Sequence, residues 1–194
     1  GERREELRVP LATYESPLWP SVSRGAQITA QAGGIRAIVI SENMSRSVLL
    51  QAENAAYAAT TVASLYDSID KVAAVVAQTS RFAQLKDVHH QIVGDLLYLR
   101  IEITTGDASG QNMVTKAADS VITWLLDVFP RLRYVSVSGN YCTDKKPSAV
   151  NGILGRGRYV VAEATIADEL CQRYLQTSVD RLVDINIKKN LIGG

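Results

Sequence analysis

The alternation of apolar and polar positions is clearest between residues 82 and 103. Apolar side chains recur there at every second position, which puts them on one face of a strand: Leu97, Leu99, Ile101 and Ile103. The pair Gly94-Asp95 separates this run from the preceding one, and glycine supplies the positive φ of a tight turn. The pattern therefore predicts a β-hairpin from residues 82–93 and 96–103.

Upstream of the hairpin, a β-branched run at 35–40 predicts a strand that continues after a kink at 47–51. Apolar residues at helical spacing predict helices over 53–64 and 69–77, with Asp67 and Ser68 between them as a turn or N-cap. Residues 33–104 thus predict the order β-α-α-β-β, a compact unit of its own.

The flanking segments complete a mixed α+β chain. The prolines Pro10, Pro17 and Pro20 predict an irregular first 25 residues, and 26–32 fits either a helix or a loop. A helix is expected over 112–128, ended by Phe129-Pro130. Beyond it the pattern predicts strands at 134–138 and 158–166, a glycine-rich turn at 152–157, and helices at 167–175 and 178–191.

Composition narrows the function classes. The chain has 194 residues, 46% of them hydrophobic, and a formal net charge of +1, which gives no reason to expect a nucleic-acid partner. No apolar run approaches the roughly 20 residues of a membrane span, and residues 1–8 lack the apolar core of a signal peptide. Two cysteines make no disulfide framework, so we expect a cytoplasmic setting. No Cys or His spacing indicates a metal site, since neighbouring strand residues such as His89 and His90 face opposite ways.

Three polar segments could carry chemistry. The densest is 138–147, where a lysine beside an aspartate can stabilise a developing oxyanion, although composition alone favours an ordinary solvated turn. The glycine-bearing segment 106–113 runs into a helix and can offer backbone N–H groups to a phosphate, although spacing alone favours a simple N-cap. Glu15, among prolines, can act as a proton donor if its loop is rigid, but most such glutamates are only solvated.

Taken together, these segments resemble one family. The run Ser138-Gly139-Asn140-Tyr141-Cys142-Thr143-Asp144-Lys145-Lys146-Pro147, followed by Gly155-Arg156-Gly157, closely resembles the signature of 3-hydroxy-3-methylglutaryl-coenzyme A (HMG-CoA) reductases of the eukaryotic and archaeal type. The segment 106–113 looks like the family's second signature, and 184–193 is similar to a third block. The resemblance covers residues 9–194, nearly the whole chain.

The resemblance implies NADPH-dependent reduction of the HMG-CoA thioester, in two hydride steps, to mevalonate and free coenzyme A. It also implies an α+β fold in which a small ferredoxin-like cofactor domain, 33–104, interrupts a large domain formed by 1–32 and 105–194. The family's sites form between subunits, so a homodimer or higher oligomer is expected.

Individual residues take roles from the resemblance. Glu15 and Lys145 match the family's catalytic glutamate and lysine. The substrate and coenzyme A contacts that it implies are Ser21, Arg24, Arg46, Ser138, Asp144, Lys146 and Lys189. The cofactor contacts that it implies are Ser80, Arg81, Phe82, Asp107, Ser109, Gly110, Gln111, Asn112 and Met113. Arg81 suits the 2′-phosphate of NADPH because a guanidinium grips phosphate bidentately.

The sequence also departs from the family. Ser109 and Gln111 stand where methionines are common, and Gln176 where a lysine often assists coenzyme A. The family's catalytic aspartate and C-terminal histidine have no counterpart among the 194 residues, so we expect this chain by itself not to complete the reduction. Two alternatives therefore stay open, namely a non-catalytic homologue that binds NADPH or an acyl-CoA ester, and a structural remnant without ligand.

Overall fold

The computed structural model describes residues 5–10, 13–145 and 148–193. In chain order its elements are α1 (Leu18–Gln31), β1 (Arg36–Gln51), α2 (Ala55–Asp67), α3 (Ile69–Ala77), β2 (Gln84–Val93), β3 (Leu96–Thr104), α4 (Gln111–Val128), β4 (Arg133–Ser136), α5 (Ala149–Leu154), β5 (Gly157–Glu163), α6 (Asp168–Leu170) and α7 (Val179–Ile185). Two π-helical segments, Cys171–Leu175 and Asn186–Ile192, follow α6 and α7.

One sheet organises these elements. Its strand order is β2-β3-β1-β4, with β5 also pairing with β1. The β1–β3 ladder is antiparallel and runs from the pair Met44–Ile103 to the pair Gln51–Leu96. The neighbouring β2–β3 and β1–β4 pairs are antiparallel as well.

The chain divides into two compact units. One comprises Val39–Val160 and contains most of the sheet with α2 to α5. The other comprises Gly1–Ile38 and Val161–Gly194 and contains α1, α6, α7 and both π-helical segments. Within the second unit α1 contacts the segment Cys171–Leu175, and Ile28 and Cys171 are buried.

The apolar core of the Val39–Val160 unit lies between one face of the sheet and helices α2, α3 and α4. The helices contribute Leu65, Val72 and Leu125, among other fully buried side chains. The alternating face of β3 supplies Leu97, Leu99, Ile101 and Ile103, each with no exposed surface. This is the face that the period of two predicts.

Several elements confirm the sequence pattern. The hairpin turns at Gly94, whose φ is +62°, and the order β-α-α-β-β holds for β1 to β3. The helix α4 ends at Val128, directly before Phe129-Pro130. The Asn54 side chain accepts a hydrogen bond from the Tyr57 amide at 2.9 Å and caps α2.

Other elements correct it. The first 25 residues are not irregular throughout, because α1 begins at Leu18 with Pro20 in its first turn, where a proline costs no hydrogen bond. The strand β1 is continuous across the mostly polar residues 41–46, where the sequence pattern predicts a kink. The glycine-rich stretch beginning at Gly152 is partly helical, because the Ser148 side chain caps α5 by accepting from the Asn151 amide at 3.2 Å.

The ends of the remaining elements also shift. The strand β5 ends at Glu163 and β4 ends at Ser136, both short of the predicted ends. The two C-terminal helices begin close to the predicted positions but continue as π-helix instead of α-helix. Sequence periodicity does not separate these two forms, because one wider turn hardly alters which side chains share a face.

The buried face of β3 gives a stability prediction. Leu99→Ala removes a fully buried side chain and should lower the free energy of unfolding by about 2–5 kcal/mol, since it leaves a cavity. Val93→Ala is the control, because Val93 is 55% exposed and its loss should change stability by less than about 0.5 kcal/mol. Urea denaturation measures both, and equal losses would contradict the placement of the core.

Candidate active site

The segment 138–145, called here the Lys145 loop, begins where β4 has ended. The Gly139 amide donates to the Ser47 carbonyl of β1 at 2.8 Å. A side chain at Gly139 would place its Cβ 3.1 Å from Leu49 Cβ and 3.1 Å from Tyr98 Cδ1. Because Ser47, Leu49 and Tyr98 alternate with the core residues, the start of the loop lies against the sheet face opposite the helices.

The backbone of this loop is strained. Asn140, Thr143 and Lys145 have φ values of +62°, +50° and +57°, in the left-handed region that L-residues rarely occupy. Each such residue costs of the order of 1 kcal/mol and persists only where its surroundings hold it. The Asn151 side chain donates to the Thr143 carbonyl at 3.0 Å, and Cys142 is buried at 1% exposure.

The charges of the loop are unevenly paired. Asp144 Oδ1 lies 3.0 Å from Arg156 Nη1, and both side chains are mostly buried. Lys145 is exposed, and its ammonium makes no salt bridge with any residue that the structure describes. The loop therefore presents a solvent-facing cation whose acidic neighbour already has a partner.

The predicted substrate-binding residues of the Val39–Val160 unit do not all lie close together. Ser138 is exposed and lies in a turn in which the Ser136 hydroxyl donates to the Ser138 carbonyl at 3.1 Å. Arg46 is half-buried and donates to Thr115 Oγ1 of α4 from Nε and Nη2, at 3.1 and 2.7 Å. Alternation along β1 puts Arg46 on the face opposite Ser47, and so away from the start of the Lys145 loop. Lys146 lies outside the described residues.

The two predicted cofactor segments are adjacent. A Cβ built on Gly106 would lie 3.4 Å from Phe82 Cδ1, so the Phe82 ring packs against the segment 106–113, called here the glycine loop. The exposed Arg81 guanidinium lies over the same ring, 4.6 Å from its centre. The Phe82 amide donates to Ser80 Oγ at 3.2 Å, and Lys116 of α4 donates to the Thr79 carbonyl at 3.1 Å.

Hydrogen bonds and close packing restrain the glycine loop. Thr105 Oγ1 donates to the Ala108 carbonyl at 2.7 Å, and Arg158 donates to the Gly106 carbonyl. Gly110 is the N-cap residue of α4 with φ at +84°, and a Cβ there would lie 2.2 Å from Thr105 Cγ2. The predicted cofactor residues of this loop that are exposed are Asp107, Ser109, Gln111 and Asn112, whereas Met113 packs partly against the core.

The remaining predicted residues belong to the other unit. Glu15 is exposed immediately before α1, where its carbonyl accepts from the Leu18 amide at 3.0 Å. Ser21 and Arg24 are exposed on α1, and the Ser21 hydroxyl donates to the Pro17 carbonyl at 3.0 Å. Lys189 is exposed on the π-helical segment Asn186–Ile192.

A tyrosine from α2 lies close to the Lys145 loop. Tyr66 donates to the Val88 carbonyl at 2.8 Å and lies 3.1 Å from His90 Nδ1. Burial raises the pKa of the Tyr66 phenol, and the neighbouring Asp87 and Tyr141 raise it further. The phenol therefore stays protonated at neutral pH. With Tyr141, it lines a cavity of about 380 Å³.

Sequence reasoning missed the buried charges that support the site. The motif that contains Arg156 indicates no role for this residue, and Arg100 and Glu102 simply occupy polar positions of the predicted hairpin. The available signal was that β3 carries two charged residues although its alternate positions already form an apolar face.

Among the described residues, no group of three or more His, Cys, Asp or Glu side chains is placed to hold a metal ion. None of the helices there has the length and apolar character that a membrane span requires.

The fold and the two loops define an α+β protein with an antiparallel sheet that carries a glycine loop and an exposed lysine. The sequence model of one family, hydroxymethylglutaryl-coenzyme A reductase, matches residues 2–194. The chain belongs to this family, which confirms the resemblance seen in the three motifs.

Individual relatives agree with this membership. The chain is 43% identical over 190 residues to 3-hydroxy-3-methylglutaryl-coenzyme A reductase 1 of Oryza sativa subsp. japonica. It is 41% and 40% identical to the reductases of Pyrococcus abyssi and Strongylocentrotus purpuratus. Each match covers 97% of this chain but only 36%, 46% and 20% of the respective relative, so the chain spans less than half of their lengths.

A solved structure shares the fold. The NADPH-bound class II 3-hydroxy-3-methylglutaryl-CoA reductase of Streptococcus pneumoniae superposes with a TM-score of 0.63 at 23% identity. The match covers 92% of this chain and 46% of that one. It confirms the mixed helix and antiparallel sheet architecture.

The glycine loop gives a prediction that needs no ligand. Gly110→Ala should destabilise the chain by more than 1 kcal/mol, of the order expected for strain at a positive φ, because the new Cβ also collides with Thr105. Gly152→Ala is the matched control, since it lies in α5 with nothing within 4 Å and should be neutral or slightly stabilising. Urea denaturation of both variants decides the matter, and an unaffected Gly110→Ala protein would contradict this loop geometry.

Proposed function

We propose that the protein carrying this chain reduces HMG-CoA to mevalonate and free coenzyme A with NADPH. The observation that carries the proposal is the exposed Lys145 ammonium, held on a strained loop and without a salt bridge among the described residues. Such a cation is suited to stabilising an oxyanion that forms during the reaction. The names of the relatives at 40–43% identity support the same activity.

The residues of the chain divide the chemistry between them. NADPH supplies the hydride in both reduction steps. Lys145 stabilises the negative charge on the thioester oxygen and then on the aldehyde oxygen, and Glu15 donates a proton to that oxygen. Asp144, Lys146, Ser138 and Lys189 bind the acyl part of the substrate, whereas Ser21 and Arg24 contact coenzyme A. Arg46 faces away from the Lys145 loop of its own chain, so its contact with the acyl part is made in a site between subunits.

The residues present fit a phosphorylated dinucleotide. The backbone from Gly106 to Ser109 is exposed, so a phosphate can approach its N–H groups. Exposed Arg81 lies beside that loop through Phe82 and grips the 2′-phosphate. The cofactor contacts are Ser80, Arg81, Phe82, Asp107, Ser109, Gly110, Gln111, Asn112 and Met113.

The sheet supports a ferredoxin-like cofactor domain. The order β2-β3-β1-β4, with helices after β1 and after β3, follows the split β-α-β pattern of that fold. We propose residues 33–104 as the insert, which contains β1 to β3, and the flanking segments as parts of the large domain. The helix α4 and the strand β4, which complete the pattern, come from the segment that follows the insert. The protein works as a homodimer or higher oligomer in the cytoplasm, with sites between subunits.

Cofactor binding gives the next prediction. Arg81→Ala should weaken NADPH binding more than NADH binding, by about tenfold or more in the ratio of the two Kd values, because only NADPH carries the extra phosphate. The fluorescence of the bound nicotinamide, titrated on the purified 194-residue chain, measures both constants.

A matched arginine controls this experiment. Arg131 is also exposed and stacked on a ring, with its guanidinium 4.0 Å from the centre of Tyr57. Arg131→Ala should leave the ratio of Kd values unchanged. Equal weakening of NADPH and NADH by Arg81→Ala would refute the phosphate assignment, and absence of NADPH binding to the parent chain would refute the cofactor assignment.

Catalysis gives a separate prediction. In the protein that carries this chain, Lys145→Ala should lower kcat for mevalonate formation by about 10²–10³-fold, because one oxyanion donor is lost. Lys71→Ala, on the exposed surface of α3, should leave kcat unchanged. Near-normal turnover by a folded Lys145→Ala protein would remove Lys145 from the mechanism, while NADPH binding without any turnover by the parent would favour a non-catalytic homologue.

A further inference from the structure

We propose that Arg156 is a positioning residue for the Lys145 loop, whose guanidinium holds the Asp144 carboxylate and so keeps it from neutralising Lys145. The part of this inference that concerns turnover rests on the proposed function. The structural part, that Arg156 restrains the loop, stands on the geometry of the Val39–Val160 unit alone.

The loop needs such a restraint. Asp144 and Lys145 are neighbours in the chain, and opposite charges that come within a few ångströms of each other attract. A carboxylate paired with Lys145 would take up the charge that a substrate oxygen requires. Arg156 removes that competition, since its Nη1 lies 3.0 Å from Asp144 Oδ1 and its side chain is only 11% exposed.

Arg156 is itself held in place by the residues that precede it. The Leu154 carbonyl accepts from Asn43 Nδ2 at 2.8 Å, and the Gly155 carbonyl accepts from Arg100 Nη2. Gly155 and Gly157 flank Arg156 with φ at +72° and +80°, a backbone path that other residues rarely follow. The backbone immediately before Arg156 is thus hydrogen-bonded to the sheet through two successive carbonyls, those of Leu154 and Gly155.

Those two anchors belong to one buried network. Arg100 Nε donates to Glu102 Oε1 at 2.8 Å, and Asn43 Nδ2 donates to Glu102 Oε2 at 2.9 Å. Arg100 has no exposed surface, and Glu102 is 4% exposed. A buried ion pair has a fixed geometry, so the network fixes the backbone before Arg156 relative to β1 and β3. Arg156 in turn fixes the position of the Asp144 carboxylate.

A double-mutant cycle tests the catalytic part. In the protein that carries this chain, Arg156→Ala should lower kcat by about 10²-fold, the size of effect that a small displacement of a catalytic group produces, with the Kd for NADPH unchanged. Arg156→Lys should recover part of the loss. Once Asp144→Asn has removed the competing charge, adding Arg156→Ala should lower kcat by less than about threefold, because coupled residues are not additive.

Arg131→Ala is the control for the loss of an ion pair. It breaks the Arg131–Glu53 pair, whose side chains are 2.7 Å apart and exposed, and should leave kcat unchanged. Additive losses in the Arg156 and Asp144 cycle would overturn the proposal. So would a loss of kcat for Arg156→Ala that matches a loss of global stability, as seen by urea denaturation.

Hydrogen exchange tests the structural part without any turnover. In Arg156→Ala the amides of the loop, including that of Thr143, which donates to the Asn140 carbonyl at 2.9 Å, should exchange at least tenfold faster. Amides of β3 should exchange at the parental rate. Unchanged loop exchange would overturn the restraint, whereas an inactive parent with faster loop exchange in the variant would refute the proposed function and leave the restraint standing.

Discussion

The antiparallel ladder between β1 and β3 is the constraint on which the Val39–Val160 unit depends. Side chains alternate across it, so each strand serves two environments. One face carries Val48, Leu50, Leu99 and their neighbours into the apolar core beneath the helices. The other carries Asn43, Arg100 and Glu102, which are buried although they are polar. A one-residue slip of this ladder would exchange the two faces and destroy both.

The polar face explains why a charged network is retained inside the protein. A buried ion pair contributes little net stability, since desolvation offsets most of its attraction. What it provides here is position: Arg100 and Asn43 bond the carbonyls that precede Arg156, and Arg156 pairs with Asp144. The strained φ values of the Lys145 loop are consistent with this, because such conformations persist only where surrounding bonds enforce them.

The residues with a proposed role are distributed over both compact units of the chain. Lys145, Arg81 and the glycine loop belong to Val39–Val160, whereas Glu15, Ser21, Arg24 and Lys189 belong to the other unit. Family membership covers both units, since the sequence match runs through residues 2–194.

The sequence by itself determined the family, the hairpin, the order β-α-α-β-β and the apolar face of β3. Motifs and strand alternation are local, so they can be read without knowing what packs against them. Only the tertiary structure decided that residues 41–46 continue β1 and that α1 begins at Leu18. It alone also decided that Asp144 pairs with Arg156 and that Arg46 bonds Thr115. These outcomes depend on partners distant in the chain, as where Asn43 Nδ2 of β1 donates to the buried Glu102 carboxylate of β3.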